Sequence, residues 1–515
     1  MNPRLLSVCL ACLFPLTALR AAELTPTTPV RVESGLVTGT TTGTDGVTGY
    51  FGIPYAAAPV GELRWKPPAR RPAWEGVRAA DTFCASCMQE LRREFLPWTW
   101  EFMLRNEVAE DCLALNIWTP ATDTDEQLPV MVWIHGGAYF SGSGEVALYD
   151  GEGLARKGVI VVTINYRLGV FGFLAHPELS AESPHGASGN YALMDCVAAL
   201  EWVRRNIAAF GGDPANITVG GQSAGAGAIH ALTAAPAAAG TFDRMIIQSG
   251  PWRPGSPAMD LAAAEAQGTA FAEAIGAPSL ADLRALSAEE LYARYAANNY
   301  RFRPIVDGWF VPEDVAAAAA AGRAIDVPAL AGWTADEASS RADYGRSTVA
   351  ALQTRAQRMY GERADAFLQL YPAANDEEAG TADVQSQRDA NRAALWAWSQ
   401  ARGDAPDYGY FFARGIPWPE HPQYQAFHSA EMPYTFNNLE VMDRPWTALD
   451  RELADQVSDY WVNFITTGDP NGPGLPRWPE ADDRIMIFSG FIGAAPVLPP
   501  AKLQFYQEVF AGSGE

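Results

Sequence analysis

The chain has 515 residues, 48% of them hydrophobic, and carries 37 Lys and Arg against 60 Asp and Glu for a formal net charge of −23. That apolar fraction excludes a disordered chain, and the acidic balance argues against a nucleic-acid partner, whose binding rests on clustered cations. With Lys66, Lys157 and Lys502 as the only lysines, an anion-binding surface would have to be built from arginine, and an acidic surface disfavours anionic membranes.

Chain order begins with a targeting pattern. Arg4 precedes an apolar run from Leu5 to Leu19, and Arg20, Ala21 and Ala22 follow. A short positive region, an apolar stretch and small residues predict a secretory signal over residues 1–22. The run is about 15 residues, short of the ~20 that cross a bilayer as a helix, although a retained anchor or lipoprotein is the alternative. Residues 23–515 are expected to form one domain, secreted or periplasmic, with no membrane association after signal removal. Cys9 and Cys12 would leave with the signal, and Cys84, Cys87, Cys112 and Cys196 remain. In an exported chain a disulfide is the first reading. The Cys84–Cys87 spacing also fits a redox or zinc half-site, but no second CxxC or nearby His pair completes one, so no metal is expected.

Residues from Val30 to Val47 read as a small β-hairpin region with Gly and Thr turns. Apolar runs then end in polar or glycine-rich turns. Val130–Ile134 ends at His135-Gly136-Gly137, Val159–Val162 leads to Asn165-Tyr166-Arg167, Ile217–Val219 ends at Gly220-Gly221, and Met245–Ile247 ends at Gln248-Ser249-Gly250. Such strands suit a sheet buried on both faces. Between them, Leu193, Val197, Leu200, Val203 and Ile207 recur at helical spacing within Tyr191–Phe210. Strand–helix alternation predicts an α/β fold with a mostly parallel sheet. The alanine run at Ala316–Ala321 reads as a short helix, and no linker or internal repeat divides the chain.

Gly221-Gln222-Ser223-Ala224-Gly225 fits GxSxG after a strand and before a helix. A serine hydroxyl is a poor nucleophile unless lifted onto a tight turn within reach of a base. The glycines permit that turn, and the helix N-terminus points N–H groups at the site. Upstream, His135-Gly136-Gly137-Ala138-Tyr139 fits the glycine-rich loop whose N–H groups approach a substrate oxygen. His135, on a rigid loop, suits a structural place better than that of a proton shuttle.

With these motifs in hand, the chain resembles the type-B carboxylesterases, the cholinesterase-like branch of the α/β-hydrolases. The likeness spans roughly residues 30–490. It rests on Phe51–Ala56 with Leu63–Pro68, on Glu110-Asp111-Cys112-Leu113, on Phe210–Pro214 leading into the elbow, and on Phe464, Thr467–Asn471 and Trp478-Pro479. The resemblance implies an α/β-hydrolase fold with helical insertions around an active-site gorge, a small-molecule ester substrate and no cofactor. It implies a triad of Ser223, Glu337 and His428. Glu337 sits in Trp333–Ala338, where Ala338 replaces the family's usual glycine and leaves Asp336 as a minor alternative acid. His428 sits in Phe427–Tyr434, with His421 its nearest rival. Gly137, Ala138 and Ala224 are implied as oxyanion donors. Gln222 stands where many relatives carry Glu.

Further expectations follow from the same likeness. Tyr300 and Phe302 would narrow the acyl pocket, with Arg301 and Arg303 facing solvent or a substrate carboxylate. Trp98, Trp100 and Phe102 would lie at the gorge rim. Cys87 would pair with Cys112, Cys84 being the fallback, and Cys196 would be a buried thiol. A non-catalytic binding protein and a serine amidase are the competing readings. Dead relatives lose the nucleophile or base, both present here, and the lactamase form needs a Lys where Ala226 stands.

Overall fold

The computed structural model of the chain describes residues 27–44, 46–91, 94–250, 258–480 and 483–511. The predicted signal over residues 1–22 lies outside the described residues.

Runs of β-branched and large apolar residues tolerate burial on both faces, and these runs make the central sheet. Its eleven strands among the described residues are, in chain order, Thr40–Thr41 (β1), Thr48–Pro54 (β2), Ala114–Thr119 (β3), Leu128–Ile134 (β4), Ile160–Ile164 (β5), Gly212–Gln222 (β6), Arg244–Gln248 (β7), Ala329–Thr334 (β8), Asp407–Phe412 (β9), Arg484–Phe488 (β10) and Ile492–Pro496 (β11). Across the sheet the order is β11-β10-β9-β8-β7-β6-β4-β5-β3-β2-β1. From β5 to β10 every neighbouring pair is parallel, and antiparallel pairs occur only at the margins. All of Val130 to Ile134 and Ile160 to Ile164 is buried, as double-sided burial requires.

The helical spacing read from Leu193 onward gives Tyr191–Asn206 (α1), which buries Leu193, Val197, Leu200 and Val203. A 3-10 turn over Ile207–Phe210 finishes it, and Gly211 closes the turn at φ 83°. Ala224–Thr233 (α2) follows the serine. The alanine run forms Val315–Ala320 (α3). Asp376–Gln400 (α4) and Ala448–Thr467 (α5) are the long helices of the C-terminal half. Near the N-terminus, Val30–Val32 pairs antiparallel with Gly35–Thr38, as the turn residues suggested. Val77–Ala79 joins that pair from further along the chain.

Parallel pairing puts the C-terminal ends of β4, β6, β7 and β8 along one edge. Gly221 faces Ile134, Gln222 faces Gln248, and Gln248 faces Gly332 across the ladder. The turns after these strands therefore converge, the usual place for a ligand in an α/β sheet. Cys87 and Cys112 are disulfide-bonded with Cα atoms 5.0 Å apart. Their sequence separation of 25 residues encloses Trp98 and Phe102. By loop-closure entropy such a link contributes about 3 kcal/mol. Cys84 and Cys196 are free thiols, and burial pushes the Cys84 thiol up to about 12.

Candidate active site

Ser223 sits between β6 and α2 at φ 57° and ψ −119°, a conformation that non-glycine residues rarely hold. Two backbone bonds hold it there: Ser223 N–H donates to Gln248 O at 2.9 Å, and Gly227 N–H donates to Ser223 O at 2.9 Å. The crossing of helix and strand explains the glycines. A Cβ on Gly225 would lie 1.9 Å from the Ile134 carbonyl oxygen, and one on Gly221 would lie 2.7 Å from the Gly225 carbonyl carbon. No side chain fits at either place.

The loop after β4 faces the elbow. Gly137 has φ 112°, and a Cβ there would lie 1.9 Å from Ser141 O. Ala138 and Tyr139 continue with φ of 55° and 67°. The N–H groups of Gly137, Ala138 and Ala224 have no hydrogen-bond acceptor among the described residues. His135 lies beneath, stacked on Tyr166 at 4.4 Å, with Nδ1 2.8 Å from Gly136 O. Burial pushes its pKa down to about 4, so its ring is neutral at ordinary pH. That fits the structural place read for it.

Two loops supply ionisable groups from the other side. A bridge between Asp336 and Phe427 sets the turn after β8 against the segment carrying His428. Glu337 Oε2 accepts a hydrogen bond from His428 Nδ1. Its Oε1 accepts from Ser249 Oγ at 2.7 Å and from Thr334 N–H at 2.9 Å. Burial alone would lower the His428 pKa, but the adjacent Glu337 charge outweighs it and the net shift is upward. Burial would raise Glu337, yet the charge and hydrogen bond of His428, with the Ser249 and Thr334 donors, hold it below the usual carboxylate range. Asp336 is engaged elsewhere, with Arg388 at 2.5 Å and the Tyr344 hydroxyl at 2.7 Å. His421 lies between Trp418 and Tyr424, away from this group.

With Nδ1–H donated to Glu337, Nε2 of His428 is an acceptor. The Gln222 amide nitrogen is 3.1 Å from it. The Ser223 hydroxyl has no hydrogen-bond partner among the described residues. Ser223 and His428 share the wall of one cavity of about 410 Å³, together with Gly137, Ala138, Trp98, Phe102, Phe140 and Tyr149. Its lining is mostly apolar side chains and glycine, suited to an apolar molecule with one polar centre.

Three aromatic residues expected at the cleft lie outside its lining. Tyr300 and Phe302 do not line this cavity among the described residues. Both pack on Phe271, each with ring centroids 5.3 Å from it, and Phe302 is buried. The aromatic cluster satisfies their apolar surface. Trp100 turns outward, with the Arg105 guanidinium 3.7 Å above its ring. Arg301 and Arg303 are exposed, and Arg301 lies over Phe140 at 5.2 Å. Ser249 and Glu431 were not foreseen. Glu431 is fully buried, and burial followed by the Glu337 charge pushes its pKa up to about 7. Its place three residues after His428 was the available signal. Among the described residues no group of three or more His, Cys, Asp or Glu converges as a metal site requires.

The chain is similar to known proteins over most of its length. The profile of the carboxylesterase family matches residues 26–488. The chain is 37% identical over 477 residues to fumonisin B1 esterase of Sphingopyxis macrogoltabida, covering 88% of this chain and 86% of that one. It is also 37% identical over 474 residues to para-nitrobenzyl esterase of Bacillus subtilis (strain 168), covering 87% and 92%. A solved PNB esterase superposes with a TM-score of 0.77 at 33% identity, over 93% of this chain and 99% of that chain.

Proposed function

The chain belongs to the carboxylesterase family, and from that premise we propose that it hydrolyses carboxylic esters through an acyl-enzyme on Ser223. His428 takes the Ser223 proton as the hydroxyl attacks the ester carbonyl. Glu337 orients the ring and stabilises its charged form. The N–H groups of Gly137, Ala138 and Ala224 hold the tetrahedral oxyanion, where losing one donor costs on the order of 10²–10³ in rate. His428 returns the proton to the departing alcohol, and water then releases the acid by the same route. The observation that carries this reading is His428, anchored to Glu337 at Nδ1 and opening into the cavity beside Ser223 at Nε2. The serine hydroxyl replaces the Gln222 amide at Nε2 by side-chain rotation when substrate binds, since such bonds tighten in the reacting complex.

The substrate is an ester with an apolar body, matched to the aromatic walls. Steady-state hydrolysis of p-nitrophenyl acetate tests the reading. Ser223→Ala is expected to lose roughly 10⁴–10⁶ in kcat at unchanged thermal stability. Activity within tenfold of the unaltered protein would refute it.

The chain is also read as one exported domain over residues 23–515. The charged and apolar pattern of residues 1–22 and the Cys87–Cys112 disulfide both support this. N-terminal sequencing of protein recovered outside the cytoplasm should begin near Glu23, and an intact Met1 there would contradict the reading.

A further inference from the structure

The helix that follows Ser223 borders a second cavity at its far end. α2 has ten residues, roughly 15 Å of rise, so this cavity lies about a helix length from the Ser223 end. His230 and Thr233 of α2 form one wall. α3, the segment 322–326 and the turn after α4 close the others, and the volume is about 220 Å³. No lining residue is shared with the Ser223 cleft. Ile325 N–H donates to Thr233 O at 2.7 Å, which ties this segment to the helix end.

Met245, Val315, Ala319 and Trp398 make the lining largely apolar. Two nitrogens break that pattern. His230 Nε2 and Arg402 Nη1 are both buried without a hydrogen-bond partner. The Arg402 side chain is only 8% exposed. Its Nη2 is already used, donating to Asp326 Oδ1 at 3.0 Å and to Val327 O at 2.5 Å. Its guanidinium packs over Trp398 at 4.8 Å. A buried donor without an acceptor is unfavourable, so an oxygen that reaches it from this space through a small side-chain movement gains a charge-assisted bond.

Charge decides which oxygen. Asp326 already neutralises Arg402, and the α2 carbonyl end carries partial negative charge. Asp314 adds a further negative group that His230 senses. A carboxylate would be repelled, whereas a neutral oxygen is not. Burial keeps the His230 imidazole neutral, with its pKa pushed down to about 4.

We propose that this cavity binds a compact neutral aromatic alcohol, its oxygen accepting from Arg402 Nη1 and its hydroxyl donating to His230 Nε2. Such a molecule lodges against the helix whose other end carries Ser223. The site stands apart from the cleft and does not depend on the reaction assigned there.

Histidine ring spectra test it, because the chain has six histidines and each cavity holds a different one. Benzyl alcohol is titrated into the full chain carrying labelled histidine, with the His230 signal assigned through His230→Gln. The His230 signal should shift saturably, and benzoate should bind at least tenfold more weakly. Ala319→Phe, which fills the cavity, should abolish the shift, and Arg402→Met should weaken binding about tenfold. If Arg402→Met fails to fold, Ala319→Phe alone decides. No saturable shift at His230, equal or tighter binding of benzoate, or an undiminished response in Ala319→Phe would overturn the proposal.

Discussion

The two sides of the cleft are built from different material. On one side, the elbow and the glycine loop are backbone: Gly221, Gly225 and Gly137 sit where a single added carbon would meet a neighbouring main chain. On the other, His428, Glu337, Ser249 and Glu431 are side chains brought together from loops after three different strands. The backbone side fails when volume is added. The side-chain side fails when chemistry changes at constant shape.

Breaking each side by its own means gives the largest effects. Glu337→Gln keeps the volume but removes the charge behind His428, and kcat on p-nitrophenyl acetate should fall by roughly 10³–10⁴ with little loss of stability. Gly225→Ala should do the opposite. Its methyl group would press on the Ile134 carbonyl, and denaturant unfolding should show a loss of roughly 1–3 kcal/mol or more. If Gly225→Ala unfolds like the unaltered protein, the helix–strand crossing is looser than described.

Glu431 sharpens the comparison through pH. Its folded pKa is raised from 4.5 to about 7, so its share of stability is complete below pH 4.5 and is lost as pH rises through about 7. Glu431→Gln should remove that dependence, a difference of up to about 3 kcal/mol between acid and mildly alkaline urea curves. Parallel curves for the two proteins would contradict the assignment.

The smallest effect concerns Gln222. The base must be neutral to accept a proton, and Glu337 raises the His428 pKa, so kcat/KM should fall on acidification through a pKa above the ordinary imidazole value. Gln222→Glu sets a negative charge beside Nε2 and should move that acid limb to higher pH. A limb that stays in place or moves down would show that residue 222 does not face the imidazole.

The same division explains what could be read from the chain. Val130–Ile134, Gly221–Gly225 and His135–Tyr139 are contiguous, and backbone packing dictates their residue types, so local pattern reveals them. Glu337 and His428 are separated by ninety-one positions, and only family resemblance pairs them. Tyr300 and Phe302 misled because an aromatic residue is equally satisfied by a substrate or by Phe271, and sequence does not say which way the ring turns. Glu431 was overlooked because a carboxylate near a motif is ordinarily solvated, whereas this one is fully buried.

Labelling by an organophosphate reaches the central claim most directly. Incubation of the folded protein followed by peptide mass spectrometry should place one adduct on Ser223, and His428→Gln should slow its formation by orders of magnitude. An adduct on another residue, or equal labelling in His428→Gln, would contradict the account.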